Sequence, residues 1–158
     1  MTTTNHFHLA QINFARMLAP LEDPIMADFV ALRDEINRLG DAAPGFVWRS
    51  QSSESNEMAI RIFDDTYLLV QLSVWESVEA LYTFAYRSQH ATVMSRRREW
   101  FERIGTPFLA LWWIPAGTIP TPEEGKARLE YLTERGPSLY AFSFKERYPA
   151  PAVLPERP

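Results

Sequence analysis

The 158-residue chain contains no cysteine. Disulfides, thiolate metal sites and thiol nucleophiles are therefore excluded, and thiol usage says nothing about the redox compartment. A surplus of positive charge is missing too: 16 Lys and Arg stand against 20 Asp and Glu, a net charge of -4. Binding a nucleic-acid backbone needs the opposite balance, so no nucleic-acid partner is expected. Glycine is scarce, with six residues and none in the spacing of a phosphate-binding loop. No serine stands in a Gly-x-Ser-x-Gly elbow. No apolar run approaches the ~18 residues of a membrane span. Met1 to His8 is polar and lacks the apolar core of a secretory signal. A cytoplasmic protein with no membrane partner is the expectation.

What is present fits one globular domain. Hydrophobic residues make up 46% and charged residues 23% of a chain long enough to bury a full core unaided. Aromatics reach 13%, five of them Trp, enough to wall a pocket, fill a large core or cover an interface. The domain is expected over residues 1–148. A Pro-rich tail follows over 149–158, extended or disordered.

His6 to Phe14 reads as a largely buried strand, because both alternating sets hold apolar residues. Asp23-Pro24 starts a helix in which Ile25, Phe29, Leu32, Ile36 and Leu39 share a face and which Gly40 stops. Phe46 to Gln51 is a second strand, and Ser52 to Glu57 a polar loop. Met58 to Phe63 and Tyr67 to Trp75 read as two strands joined by a turn at Asp64-Asp65. A helical region runs from Ser77 to about Ile104, with a break near Arg87-Ser88. Phe108 to Ile114 is an apolar strand between Pro107 and Pro115. Thr121, Pro122 and Glu124 form a capping box for another helix, ended at Gly136-Pro137. Leu139 to Phe144 is a last short strand. This βαββαβ order predicts an α+β, ferredoxin-like antiparallel sheet with helices on one face. The other face must then be covered, and sheet-to-sheet pairing in a homodimer is one way to cover it.

Several stretches carry a family resemblance. Val74 to Leu81 leads from strand to helix with His90 a few turns on, which resembles the dimeric α+β barrel superfamily. His8-Leu9-Ala10-Gln11, Pro44 to Arg49, Tyr86 to His90, Arg96 to Phe101, Leu111 to Gly117 and Pro120 to Glu124 resemble the bacterial domain-of-unknown-function family DUF3291. The resemblance spans roughly residues 6–144. It implies a dimeric barrel on a scaffold that hosts cofactor-free monooxygenases, isomerases and haem-handling enzymes, so fold alone does not select a chemistry.

Candidate site residues follow from spacing. His90, Met94, Arg97 and Phe101 recur at four, three and four residues on one helical face, and Tyr86 precedes them by a turn. An imidazole there suits acid–base work or, by analogy, axial haem ligation. Its local structural role would be to hold the bend at Ser88. Arg96, Arg97 and Arg98 fan around a helix, so one or two can face a pocket, with Arg97 favoured as a clamp for a carboxylate or phenolate. The rest would be solvated and paired with Glu99 and Glu102.

Of Trp48 and Arg49 on one strand, only one can face the helices; Trp48 is a candidate pocket wall. Trp112 and Trp113 likewise split across the sheet, one to the core or pocket and the other to a dimer interface. Trp112 is the pocket candidate. His6 and His8 share a strand face but lack further ligands for a metal, although His8 could reach the same pocket as His90.

Two functions are open at this level. One is an enzyme of monooxygenase-like or isomerase-like type, acting on a hydrophobic or aromatic small molecule with His90 and Arg97 as catalytic residues and Tyr86, Trp48, Met94, Phe101 and Trp112 binding substrate. The other is a non-catalytic ligand-binding or accessory protein. No cofactor is required by either, with haem a further alternative.

Overall fold

A computed structural model describes residues 6–88, 90–103 and 108–151. Four strands, β1 (Phe7–Arg16), β2 (Phe46–Arg49), β3 (Leu68–Trp75) and β4 (Leu109–Pro115), form an antiparallel sheet in the order β2-β3-β1-β4. The helices among the described residues are α1 (Ala27–Asp41), α2 (Ser52–Phe63), α3 (Val78–Arg87), α4 (His90–Ser95) and α5 (Pro122–Arg135). The fold is α+β. None of these helices is long and apolar enough to cross a membrane.

β1 lies inside the sheet, with Ile12 opposite Leu72 of β3 and Ala110 of β4. The pleat sends alternate residues to opposite faces. Ala10, Ile12, Val70, Leu72, Val74, Ala110, Trp112 and Ile114 point one way into a single apolar cluster, completed by Met58 and Ala59 of α2 and Leu129 and Leu132 of α5. The close approach of α5 depends on Gly125, where a Cβ would stand 2.7 Å from Ile12 Cδ1. The second face carries α1, α3 and α4. Two separate clusters form there: Phe7, Leu9, Trp75, Leu111 and Trp113 with Val78 and Leu81, and Met17, Met26, Phe29, Trp100 and Phe101.

The helices thus occupy both faces, which corrects the expectation of helices on one. The face expected to be left for a second copy is packed by α2 and α5. Trp112 and Trp113 do split across the sheet, but each is buried within the chain. The Trp112 Nε1–H donates to Glu124 at 2.7 Å and the Trp113 Nε1–H to the Tyr148 carbonyl at 2.9 Å.

Two expected strands are not strands. Met58 to Phe63 is the C-terminal half of α2, whose start includes the Gln51 N–H donating to Glu54 Oε1 at 2.7 Å. Adjacent Met58 and Ala59 are both buried while Ile60 is 47% exposed, which fits a helical repeat and breaks strand alternation. The helix ends at Asp64, left-handed at φ 52°. Residues 139–144 make only an isolated bridge, Phe142 to Leu111 on the edge of β4.

Asp23 and Pro24 begin a 3-10 turn, Pro24–Met26, that leads into α1, and α1 runs through Gly40 to Asp41 rather than stopping at the glycine. Thr121 caps α5 by accepting the Glu124 N–H at 3.1 Å. The Glu124 carboxylate, however, takes the Trp112 indole instead of returning to the cap. The second helical region breaks at Ser88, continues as α4, and ends in a 3-10 turn over Arg97–Glu99. The helix does not continue toward Ile104 as expected: Phe101 forms an isolated bridge to Met17 and residues 102–103 are irregular. Ile104 and most of the Pro-rich tail lie outside the described residues.

Candidate functional site

A cavity of about 240 Å³ opens between the second sheet face and α1, α3 and α4. Its floor is where polar side chains interrupt that face: Gln11 and Asn13 on β1, Gln71 and Ser73 on β3. Three of them are joined in a row. Asn13 Nδ2 donates to Gln11 Oε1 at 2.9 Å, and Gln11 Nε2 donates to Ser73 Oγ at 2.8 Å. The Trp75 indole N–H also donates to Ser73 Oγ, at 3.0 Å. Gln11 is 2% and Ser73 5% exposed, so these bonds replace water that the groups have lost. A serine hydroxyl that accepts twice still has its own proton to donate.

The walls are aromatic. Trp75 stacks on Phe84 with centroids 5.3 Å apart, and Phe46 meets Trp75 edge-on at 5.4 Å. Phe29 and Phe101 make a T-shaped pair at 4.9 Å. Phe29, Arg33, Ile36, Asn37 and Gly40 line the cavity from a single face of α1.

His90 enters from the break between α3 and α4. Ser88 Oγ donates to the Phe84 carbonyl, and the His90 N–H donates to Ser88 Oγ at 3.1 Å. His90 Nδ1 lies 2.9 Å from the Ala85 carbonyl, so Nδ1 carries the proton and the neutral ring keeps Nε2 as an acceptor. Burial pulls the His90 pKa below the ordinary 6.5, outweighing the Ala85 carbonyl, which favours the charged form. The ring is therefore neutral at pH 7. His90 fixes the bend and lines the cavity at once.

Arg97 lines the cavity with its guanidinium 4.7 Å from the centre of the Phe108 ring. Its neighbours in the run do not. Arg96 pairs with Glu99 at 2.7 Å and Asp28 at 3.0 Å, and Arg98 is exposed. Met94 and Phe101 also line the cavity, and Tyr86 does so from the rim, 44% exposed, beside Tyr82 and Phe144.

Two expected pocket residues belong elsewhere. Trp48 packs on the opposite face, because the irregular register of β2 between Phe46 and Trp48 turns Phe46 and Arg49 toward the cavity instead. Trp112 is wholly buried against α5. His8 shares the strand parity of Ala10 and Ile12, away from His90, and its buried Nδ1 has no hydrogen-bond partner. Among the described residues no three His, Cys, Asp or Glu side chains are grouped to hold a metal.

Gln11, Ser73, Trp75, Phe84, Phe29 and Arg33 escape the sequence reading. The signal for the floor was present: Gln11 and Asn13 two apart in one apolar strand, Gln71 and Ser73 two apart in another. A haem does not fit this site. His90 Nδ1 is bonded to the Ala85 carbonyl, as the far nitrogen of a metal-ligating histidine usually is, but the cavity is smaller than the ~300 Å³ at which drug-sized pockets begin and a porphyrin is larger than such ligands.

The model of the family described as domain of unknown function (DUF3291) matches residues 8–157. No curated protein matches the chain. A crystal structure of a protein of unknown function from Nitrosomonas europaea is similar at a TM-score of 0.46 and 12% identity, covering 75% of this chain and 99% of that one.

Proposed function

We propose that this protein, which belongs to the DUF3291 family, binds a small aromatic or otherwise apolar molecule in the cavity and removes a proton from it, with His90 Nε2 as the base. The observation that carries this reading is the half-buried, neutral imidazole, oriented through Nδ1 by the Ala85 carbonyl, in an aromatic cavity that Arg97 also lines. A base held neutral near pH 7 in a low-dielectric site is poised to accept a proton, and a guanidinium stabilises the anion that results. Proton removal is the step shared by isomerisation and cofactor-free oxygenation. The strand order supports a ferredoxin-like frame, with α2 inserted between β2 and β3. Both sheet faces are taken by the chain's own helices, so this reading needs no second copy.

A second reading keeps the cavity and removes the chemistry. His90 makes two local bonds at the α3–α4 bend, which is what a purely structural histidine would do. The probe 5-nitrobenzisoxazole separates the two. A base takes its C–H proton, the N–O bond breaks, and a coloured cyanophenolate leaves with the charge. Saturable ring opening is expected, with a rate that rises through the lowered His90 pKa and falls by about 10² or more in His90→Gln. An equal rate in a folded His90→Gln protein would remove the base and leave a binding module.

A further inference from the structure

Three arginines line the cavity, and they are not equivalent. Arg49 is matched by Asp41 through two contacts, Nε to Oδ1 at 2.6 Å and a terminal nitrogen to Oδ2 at 3.1 Å. Neither Arg33 nor Arg97 has a carboxylate within 4.0 Å among the described residues. The Arg33 Nε is buried without any hydrogen-bond partner. Among the described residues no lining residue is Asp or Glu. This is so in a chain where acidic residues outnumber basic ones by 20 to 16, so the local excess of positive charge is not a reflection of composition.

A buried guanidinium donor left unpaired is unfavourable. The guanidinium fork matches a carboxylate better than any neutral group, through paired charge-assisted hydrogen bonds. The floor does not take that part: Gln11 and Asn13 are bonded to one another and Gln11 to Ser73, and a carboxamide carries no charge to match a guanidinium. From these observations we infer that the ligand is an aromatic monoanion, a carboxylate on one or two rings, and that Arg33 on α1 receives its charge. The rings then lie among Trp75, Phe84, Phe29 and Phe101, and Arg97 adds a second positive charge. A bicyclic acid is in keeping with the cavity's size. This assignment rests on the cavity being a ligand site, as proposed above, and adds the chemical class of the ligand.

Calorimetry with 2-naphthoate and its neutral analogue 2-naphthylmethanol tests it. Wild-type protein is expected to bind the carboxylate at least about tenfold more tightly than the alcohol. Arg33→Met is expected to remove that preference while leaving the alcohol's affinity within about threefold, and Arg33→Lys to restore part of it. The wild-type comparison stands even where a variant fails to fold. Equal binding of the two probes to wild-type protein overturns the anion assignment and leaves the cavity reading intact. Binding of neither overturns both.

Discussion

On one face of the sheet, Ala10, Ile12, Leu72 and Trp112 meet α2 and α5 in a single apolar cluster; on the other, Gln11, Asn13, Gln71 and Ser73 interrupt the apolar surface and a cavity lies above them. Both faces come from the same strands, at alternate positions. The filled face follows the ordinary rule for cores, in which close-packed apolar area removed from water supplies the stability. The interrupted face gives up such area for a hydrogen-bonded row and an open space. Polar groups so placed are expensive to bury unless they are hydrogen-bonded, and here Gln11 and Ser73 are bonded to each other. Both faces hold buried clusters, but only the interrupted one leaves the space that the proposed ligand would fill.

Substitutions on the two faces should therefore differ in kind. Trp112→Ala, on the filled face, is expected to destabilise by about 3–5 kcal/mol in urea denaturation, from the cavity it opens and the Glu124 carboxylate it deprives of a donor. A loss below about 1 kcal/mol would break the comparison. Gln11→Leu, on the interrupted face, is expected to change stability by less than about 1.5 kcal/mol, since water in the cavity can serve the groups it frees.

His90 gives the same face a pH signature. Its folded pKa is lowered, so above 6.5 the ring is neutral in both folded and unfolded chains and contributes nothing to pH dependence. As pH falls below 6.5 the unfolded chain takes up the proton first, and stability falls toward the folded pKa. Denaturation midpoints between pH 8 and 5.5 should show this loss in wild-type protein and a smaller one in His90→Gln. The weakest effect belongs to the surface of the filled face. Arg61→Ala removes the exposed pair with Glu123 that links α2 to α5, and should alter stability by no more than about 0.5 kcal/mol.

Much of this arrangement was legible from residue spacing. His90, Met94, Arg97 and Phe101 fall on one side of the Val74–Phe101 segment, with Tyr86 a turn earlier, and all line the cavity although Ser88 breaks the helix between them. Only Arg97 of the three-arginine run does so; the run lies in a turn and a 3-10 helix rather than an α-helix, where successive side chains step by about 120° and still point apart. The rest failed for identifiable reasons. The short apolar run Met58 to Phe63 fits both a strand and a helix, and the polar stretch before it proved to be the helix's first turns rather than a loop. That misreading hid α2, and with it the cover on the second face. Trp48 went to the wrong side because a register shift in β2 is set by pairing with β3 and leaves no mark in the sequence of β2 itself. Arg33 and Trp75 were invisible because a pocket joins α1 to β3 across some forty residues, a long-range contact that local periodicity does not encode.

The indole N–H resonances offer the most direct test of the division between faces. The Trp75 indole is bonded to the cavity floor at Ser73, whereas the Trp112 indole is bonded to Glu124 behind the sheet. In a 15N-correlated NMR titration with 2-naphthoate, the Trp75 indole and the side-chain amides of Gln11 and Asn13 should shift together and saturate, while the Trp112 indole stays in place. A titration that moves the Trp112 indole and leaves Trp75 unmoved, or that moves none of them, would contradict the assignment of the ligand to the interrupted face.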